Sequence, residues 1–172
     1  MTDTVEPILD YLNRLGIPFR LIEHPPAHVM RDCVAVDRAL DALAVKNIFL
    51  TTKNQKRFYL CITRPDARFR TADISRQAGS SRLSFAPEEE LLRRLRCHSG
   101  SASPLGLIFP EAEGVGLLAD SALLEAPRLA FHPCDNTRTL CLTGGDFFAR
   151  FLPAVGVEPR FVEIHDFLEP FD

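Results

Sequence analysis

Tryptophan is absent and tyrosine occurs only twice, so 13 phenylalanines carry nearly all the aromatic content of these 172 residues. No apolar run approaches the roughly 18–20 residues of a membrane span. The opening Met1–Glu6 stretch is acidic and lacks the basic region and apolar stretch of a signal peptide, which predicts a cytoplasmic chain. Cysteine pairs of the Cys-x-x-Cys type are missing too. The five cysteines (Cys33, Cys61, Cys97, Cys134, Cys141) are odd in number and widely spaced, which argues against a disulfide framework and against a zinc knuckle. Reduced thiols, several of them buried, are expected. There is no Gly-x-x-x-x-Gly-Lys loop, no Gly-x-Gly-x-x-Gly turn and no Gly-x-Ser-x-Gly elbow. His24 and His28 have helical metal-ligand spacing, but Pro25 and Pro26 between them rule against a helix. No metal and no cofactor are expected.

What is present fits one globular domain over 1–172: 46% hydrophobic residues can bury a core, and 25% charged residues is ordinary. The net charge of −3 is unevenly spread. Residues 46–96 hold twelve Lys/Arg against five Asp/Glu, a local +7. A basic middle between acidic flanks can present a positive face to a phosphate backbone, or it can be a salt-bridged solvated surface.

Periodicity predicts a first helix through Val5, Ile8, Leu9, Leu12 and Leu15, capped by Thr4 and ended by Gly16. Phe19–Ile22 reads as a short strand, and 32–43 has mixed helical character. Val45–Thr51 and Phe58–Thr63 flank the polar turn Lys53–Lys56 and predict a β-hairpin. On its first strand Lys46 and Ile48 share one face, Asn47 and Phe49 the other. A short helix is expected over Thr71–Gln77 and an extended segment over Arg82–Phe85. Pro87, at a first helical position, and three glutamates open a helix through Leu95, closed by arginines as the helix dipole favours. Gly100–Gly106 reads as a small-residue loop. Further strands are expected at Val115–Ala119, Arg128–Phe131, Arg138–Leu142 and Phe161–Ile164, with a helix capped by Thr143 over Asp146–Ala154. About six strands interleaved with four or five helices indicate an α+β, mixed α/β fold.

Three segments can bear chemistry. The Gly100–Gly106 loop offers approachable backbone N–H groups suited to a carbonyl oxygen or carboxylate, or it is a surface turn. His132–Thr137 is a polar turn between strands, with the same two readings. Lys46 can neutralise a phosphate or an oxyanion, or point to solvent.

Together these segments resemble the YbaK/prolyl-tRNA editing family. The matching pieces run in order: His24-Pro25-Pro26, Lys46-Asn47-Ile48-Phe49-Leu50, Arg82-Leu83-Ser84-Phe85-Ala86, Gly100-Ser101-Ala102-Ser103-Pro104-Leu105-Gly106-Leu107, then His132-Pro133 with Asn136-Thr137. They look most like the free-standing alanyl-tRNA(Pro) deacylase branch. The resemblance implies a mixed, partly barrel-like β-sheet flanked by helices, and hydrolysis of alanine mischarged on proline tRNA. It implies Lys46 and Asn47 as catalytic residues, with Lys46 an electrostatic anchor rather than a proton acceptor. Gly100, Ser101, Ala102, Ser103, Pro104, His132, Asn136 and Thr137 would bind substrate. Charge clustering offers Lys53, Lys56, Arg57 and Arg76 for tRNA contact, with Arg93, Arg94 and Arg96 as further candidates. The implied partners are the tRNA(Pro) acceptor end and prolyl-tRNA synthetase, with no membrane. After His24-Pro25-Pro26 the stretch Ala27–Asp32 departs from the family's threonine-plus-acidic pattern, and Leu105 stands where an aromatic is frequent. Cysteinyl-tRNA(Pro), another small amino acid, or a non-catalytic tRNA- or synthetase-binding module are the alternatives.

Overall fold

The computed structural model describes residues 3–26 and 41–168. Helix α1 (Val5–Arg14) buries Val5, Ile8 and Leu12 on one stripe, as their spacing requires. Thr4 does not cap it. Asp3 Oδ1 accepts the Val5 N–H at 3.1 Å instead. The Thr4 hydroxyl is diverted to the Pro133 carbonyl at 3.3 Å, tying the helix start to the 132–137 turn. The chain leaves α1 through Gly16 at φ +69°, a left-handed conformation that glycine adopts freely.

Nine short strands among the described residues form two sheets. One runs β1 (Arg20–Glu23), β8 (Arg138–Thr143), β7 (Arg128–Phe131), β2 (Leu43–Ala44). The other runs β5 (Leu83–Phe85), β3 (Lys46–Thr52), β4 (Phe58–Thr63), β6 (Gly116–Asp120), β9 (Arg160–Val162). The expected hairpin is β3–β4, antiparallel with Lys46 opposite Thr63 and Thr51 opposite Phe58. The expectation of partial closure resolves into two mixed sheets, neither closed on itself. They meet where the chain passes from β2 through Val45 into β3, and the Val45 N–H still bonds Ala130 O of β7 at 3.2 Å.

Strand β3 is apolar on both faces because both are covered. Phe49 joins the larger core, shared with Leu60, Phe131 and Leu140 from both sheets and with Leu12 of α1. Ile48 and Leu50 join a second core against Ile74 and Ala78, under helix α2 (Thr71–Gln77). Helix α3 (Glu88–Leu95) starts one residue later than expected, with Pro87 as its cap. It ends at Arg96, held in a left-handed conformation (φ +55°) while its guanidinium bonds Glu111 at 2.8 Å and stacks 4.2 Å from the Phe109 ring. Thr143 caps the last helix as expected, through Asp146 N–H. That helix begins at Gly144 as α4 (Gly144–Asp146), widens into a π-helical segment Phe147–Phe151, and closes as α5 (Leu152–Ala154). Phe147 and Phe151 stack at 5.8 Å in the core. The helical expectation over 32–43 falls mostly on 27–40, outside the described residues; its end, Leu43, is extended in β2. The four described cysteines, Cys61, Cys97, Cys134 and Cys141, are buried and form no disulfide among the described residues.

Candidate active site

The sheet junction places Lys46 and Asn47 at the first two positions of β3, on opposite faces by strand parity. Lys46 is half-buried and has no ion-pair partner among the described residues. Its charge and that of Asp120 both act on the Cys61 thiol, which burial, then Asp120, push up to about 12 against the opposing pull of Lys46. Asp120 is not free to neutralise Lys46. Its buried carboxylate already accepts from Arg64 Nε at 2.9 Å, Arg64 N–H at 3.2 Å and Ala122 N–H at 3.1 Å. Lys46 therefore presents an uncommitted positive charge. Asn47 donates through Nδ2 to Val45 O at 3.0 Å, while its Oδ1 is buried without a partner among the described residues. A buried amide oxygen left unpaired costs roughly 1–3 kcal/mol, so such an atom calls for a donor from elsewhere.

Beside this junction lies a histidine pair. His132 follows β7, and the β7–β8 register that pairs Phe131 with Leu140 carries His132 toward Thr139. His24 follows β1 and bonds through its N–H to Thr137 O at 2.8 Å. The two rings stand 5.9 Å apart. His132 Nδ1 faces Arg138 O at 2.8 Å; a carbonyl only accepts, so the proton sits on Nδ1 and Nε2 keeps its lone pair in the neutral ring. His24 Nδ1 faces Pro25 O at 2.8 Å, so its Nε2 accepts from the Thr139 hydroxyl at 2.7 Å. Burial lowers the His132 pKa, the His24 charge adds to that, and the Arg138 carbonyl and Asp135 oppose it. His24 and Thr139 were not among the expected site residues. The available signal was, for His24, its place in the His24-Pro25-Pro26 match and, for Thr139, a polar residue directly before the apolar run Leu140–Leu142.

The Gly100–Gly106 segment is more ordered than a loop: Pro104 opens a 3-10 turn, Pro104–Ile108, in which the Ser103 hydroxyl accepts Leu105 N–H at 3.1 Å. Ser101 is buried and its hydroxyl closes the 98–101 turn with both the N–H and the carbonyl of His98. Ser103 and Pro104 are buried as well. These side chains hold the segment in shape. The backbone N–H groups of Ala102 and Ser103, by contrast, meet no acceptor among the described residues. Gly106 is required by closeness: a Cβ there would stand 2.5 Å from Leu95 O.

The expected substrate residues fall into separate groups. Ser101, Asn136 and Thr137 line a cleft of about 950 Å³ together with Arg93, Arg96 and His98. Lys46, Asn47, His132, Gly100, Ala102, Ser103 and Pro104 are not in its lining. Thr137 is oriented by Asp135, which accepts from its hydroxyl at 2.6 Å and its N–H at 2.8 Å. Among the basic candidates, Arg76 bonds Asp73, Arg93 and Arg94 bond Glu90, and Arg96 bonds Glu111. Lys53, Lys56 and Arg57 are exposed and carry no ion pair among the described residues. They sit on the β3–β4 turn, at the opposite end of β3 from Lys46. No group of three or more metal-ligating side chains gathers among the described residues, and no described helix is long and apolar enough to cross a membrane.

Similarity to known proteins bears on this geometry. The family described as "Aminoacyl-tRNA editing domain" matches residues 24–149, which takes in Lys46, the 100–106 segment and His132. The chain is 30% identical over 144 residues to the prolyl-tRNA editing protein ProX of Acetoanaerobium sticklandii, covering 84% of this chain and 88% of that protein. It is 32% identical over 152 residues to the mouse prolyl-tRNA synthetase associated domain-containing protein 1, covering 86% and 89%. Among solved structures, one described as a candidate trans-editing enzyme for prolyl-tRNA synthetase superposes with a TM-score of 0.72 at 16% identity, covering 96% of this chain and 99% of that one; it speaks for the fold. On the family match and the two relatives, the chain belongs to the aminoacyl-tRNA editing domain family.

Proposed function

We propose that this protein is a trans-editing aminoacyl-tRNA deacylase that hydrolyses the ester of alanine mischarged on tRNA(Pro), sparing proline by pocket size. The observation that carries the reading is the buried, orphaned Asn47 oxygen at the mouth of β3, next in sequence to the uncommitted Lys46 charge. The names of ProX and of the mouse relative support prolyl-tRNA as the context.

An aminoacyl ester is already activated, so water attacks its carbonyl carbon without a nucleophilic triad or a metal. The bond from that carbon to the ribose oxygen breaks, the ribose oxygen takes up a proton, and the amino acid leaves. The enzyme's contribution is placement and charge. Lys46 anchors the terminal phosphate or ester region. Asn47 Oδ1 accepts from the substrate's α-amino group, which supplies the missing donor. The Ala102 and Ser103 N–H groups receive the carbonyl oxygen as it becomes an oxyanion, and neutral His132 holds the attacking water through Nε2. A synthetase pocket shaped for proline cannot strongly reject alanine, since a methylene is worth only ~1–3 kcal/mol; a second, smaller site can. Prolyl-tRNA synthetase is the partner whose errors the protein would clear.

The test is release of labelled amino acid from Ala-, Cys-, Ser- and Pro-tRNA(Pro), with Lys46→Ala alongside. Rapid alanine release that spares proline and collapses in the variant is the expected result. Release of cysteine or serine in its place would move the specificity. Bound tRNA with no release of any amino acid would overturn the deacylase reading.

A further inference from the structure

The basic β3–β4 turn does not stand alone: it faces the segment that follows α2 across a notch of about 320 Å³. Thr52, Asn54, Lys56 and Arg57 form one wall and the Gly79–Ser81 turn the other, with no carboxylate in the lining. The first wall is rigid. Asn54 Oδ1 accepts from the Thr52 hydroxyl at 2.7 Å and from Lys56 N–H at 3.0 Å, and Thr52 Oγ1 accepts Arg57 N–H at 3.3 Å. These bonds hold Gln55 at φ +54° and fix where Lys56 and Arg57 leave the backbone. The second wall is fixed by Gly79 and Ser80 N–H bonds back to Arg76 O and Ser75 O. A third cation, Arg160, lies with its guanidinium 3.5–3.8 Å from the place a Gly79 Cβ would occupy, bonded to Gln77 O at 3.0 Å. The Ser80 and Ser81 hydroxyls have no hydrogen-bond partner among the described residues.

Two cations without carboxylates, two unengaged hydroxyls and a lining without an apolar side chain match the needs of a phosphodiester: charge to neutralise it and donors for its oxygens. Ten other described arginines, Arg64, Arg68, Arg70, Arg76, Arg93, Arg94, Arg96, Arg128, Arg138 and Arg150, face a carboxylate instead, whereas Arg14 stacks on Tyr11 and Arg82 bonds the Thr71 hydroxyl. From Lys46 to Thr52 the strand advances by about 20 Å at ~3.3 Å per residue. A phosphate in the notch is therefore several nucleotides from the ester at Lys46. We propose that the notch between the β3–β4 turn and the Gly79–Ser81 turn binds the backbone of the tRNA acceptor stem, away from the reacting end. The proposal rests on the deacylase reading for its choice of RNA. Arg76 lies outside the lining, with its guanidinium on Asp73.

The test separates binding from chemistry. Uncharged tRNA(Pro) is titrated against wild type, Lys56→Ala/Arg57→Ala and Ser81→Glu at a series of salt concentrations. The same proteins are then assayed on the alanyl ester of adenosine alone, which has no stem. The expected result is a roughly tenfold or greater loss of tRNA affinity in both variants, and a salt slope shallower by about one to two in the double variant. Hydrolysis of the short ester should be unchanged. Ser81→Glu enters from the other wall, so it checks the notch independently of the two cations. Unaltered affinity and slope would overturn the proposal, as would an equal loss on the short ester. Wild type that binds tRNA through the notch yet cleaves no ester would instead remove the deacylase reading and leave the notch standing.

Discussion

Asn47 is an unusual residue to find at a β-strand start facing an apolar core. A leucine would satisfy the burial with no orphaned acceptor, so the amide works against stability where it stands. Its presence makes sense if the missing donor arrives with the substrate. Asn47→Ala should therefore change the unfolding free energy by less than about 1 kcal/mol, because the lost Nδ2 bond to Val45 O is offset by removal of the unpaired oxygen. Single-turnover deacylation should nonetheless fall at least tenfold. A variant that loses stability and activity in proportion would make Asn47 structural. His132 carries a second expectation at this scale. Burial lowers its pKa, with His24 adding to the shift against Asp135 and the Arg138 carbonyl. From about pH 6.5 downward the unfolded chain takes up a proton that the folded chain refuses, so this contribution is intact above that range and is lost as pH falls. The urea midpoint of wild type should drop between pH 7 and pH 5.5 more than that of His132→Asn, and parallel curves would place the acid sensitivity elsewhere.

At the scale of elements, the segment from Cys97 to Ile108 shows what composition hides. Small residues over Gly100–Gly106 read as a loop. In place, Ser101 and Ser103 spend their hydroxyls on local backbone, and Gly106 lets the 3-10 turn press against the end of α3, with Leu95 O at 2.5 Å and the Cys134 thiol at 3.3 Å from a would-be Cβ. The carbonyl belongs to the backbone and cannot swing away. Gly106→Ala should cost about 1–3 kcal/mol by urea unfolding and lower activity more than that loss explains, since it displaces the Ala102 and Ser103 N–H groups. Gly145 is the counterpart: exposed in the first turn of the last helix, with nothing within 4 Å of its Cβ position. Gly145→Ala should be neutral or stabilise by up to about 1 kcal/mol. If the two variants behave alike, closeness of packing is not what glycine supplies at 106.

At the scale of the whole molecule, what the sequence made legible is what local rules govern. Helix α1, the β3–β4 hairpin and α3 follow from apolar spacing, turn chemistry and end charges, and strand parity put Lys46 and Asn47 on opposite faces. Two-residue β2 has no length to be read from, and the π-helical segment Phe147–Phe151 packs its Phe147 ring on Phe131 of β7, a contact distant in sequence. The same limit applied to charge: Arg76, Arg93, Arg94 and Arg96 looked as open as Lys56 and Arg57, and for Arg96 the carboxylate lies outside its own helix, on Glu111. Arg64 extends that pattern across the five-stranded sheet. From the end of β4 it bonds buried Asp120 at the end of β6, reaches Ile164 O beyond β9 at 3.1 Å, and lies 4.3 Å from the Phe167 ring. One guanidinium thus ties three parallel strands and the following segment together on the side where Lys46 enters. Asp120→Ala leaves Arg64 and the Ala122 N–H without their acceptor. Breaking a fully buried pair costs about 3–5 kcal/mol, and because Arg64 is 27% exposed a loss nearer 2–3 kcal/mol is expected. Asp120→Asn, which keeps two oxygen- or nitrogen-bearing positions at the same place, should lose less. Amide exchange should rise in β9 first and in the β3–β4 hairpin last, because the hairpin is held on its other edge by β5. Uniform acceleration through both would mean that Asp120 stabilises the fold as a whole and does not act as the tie for that edge.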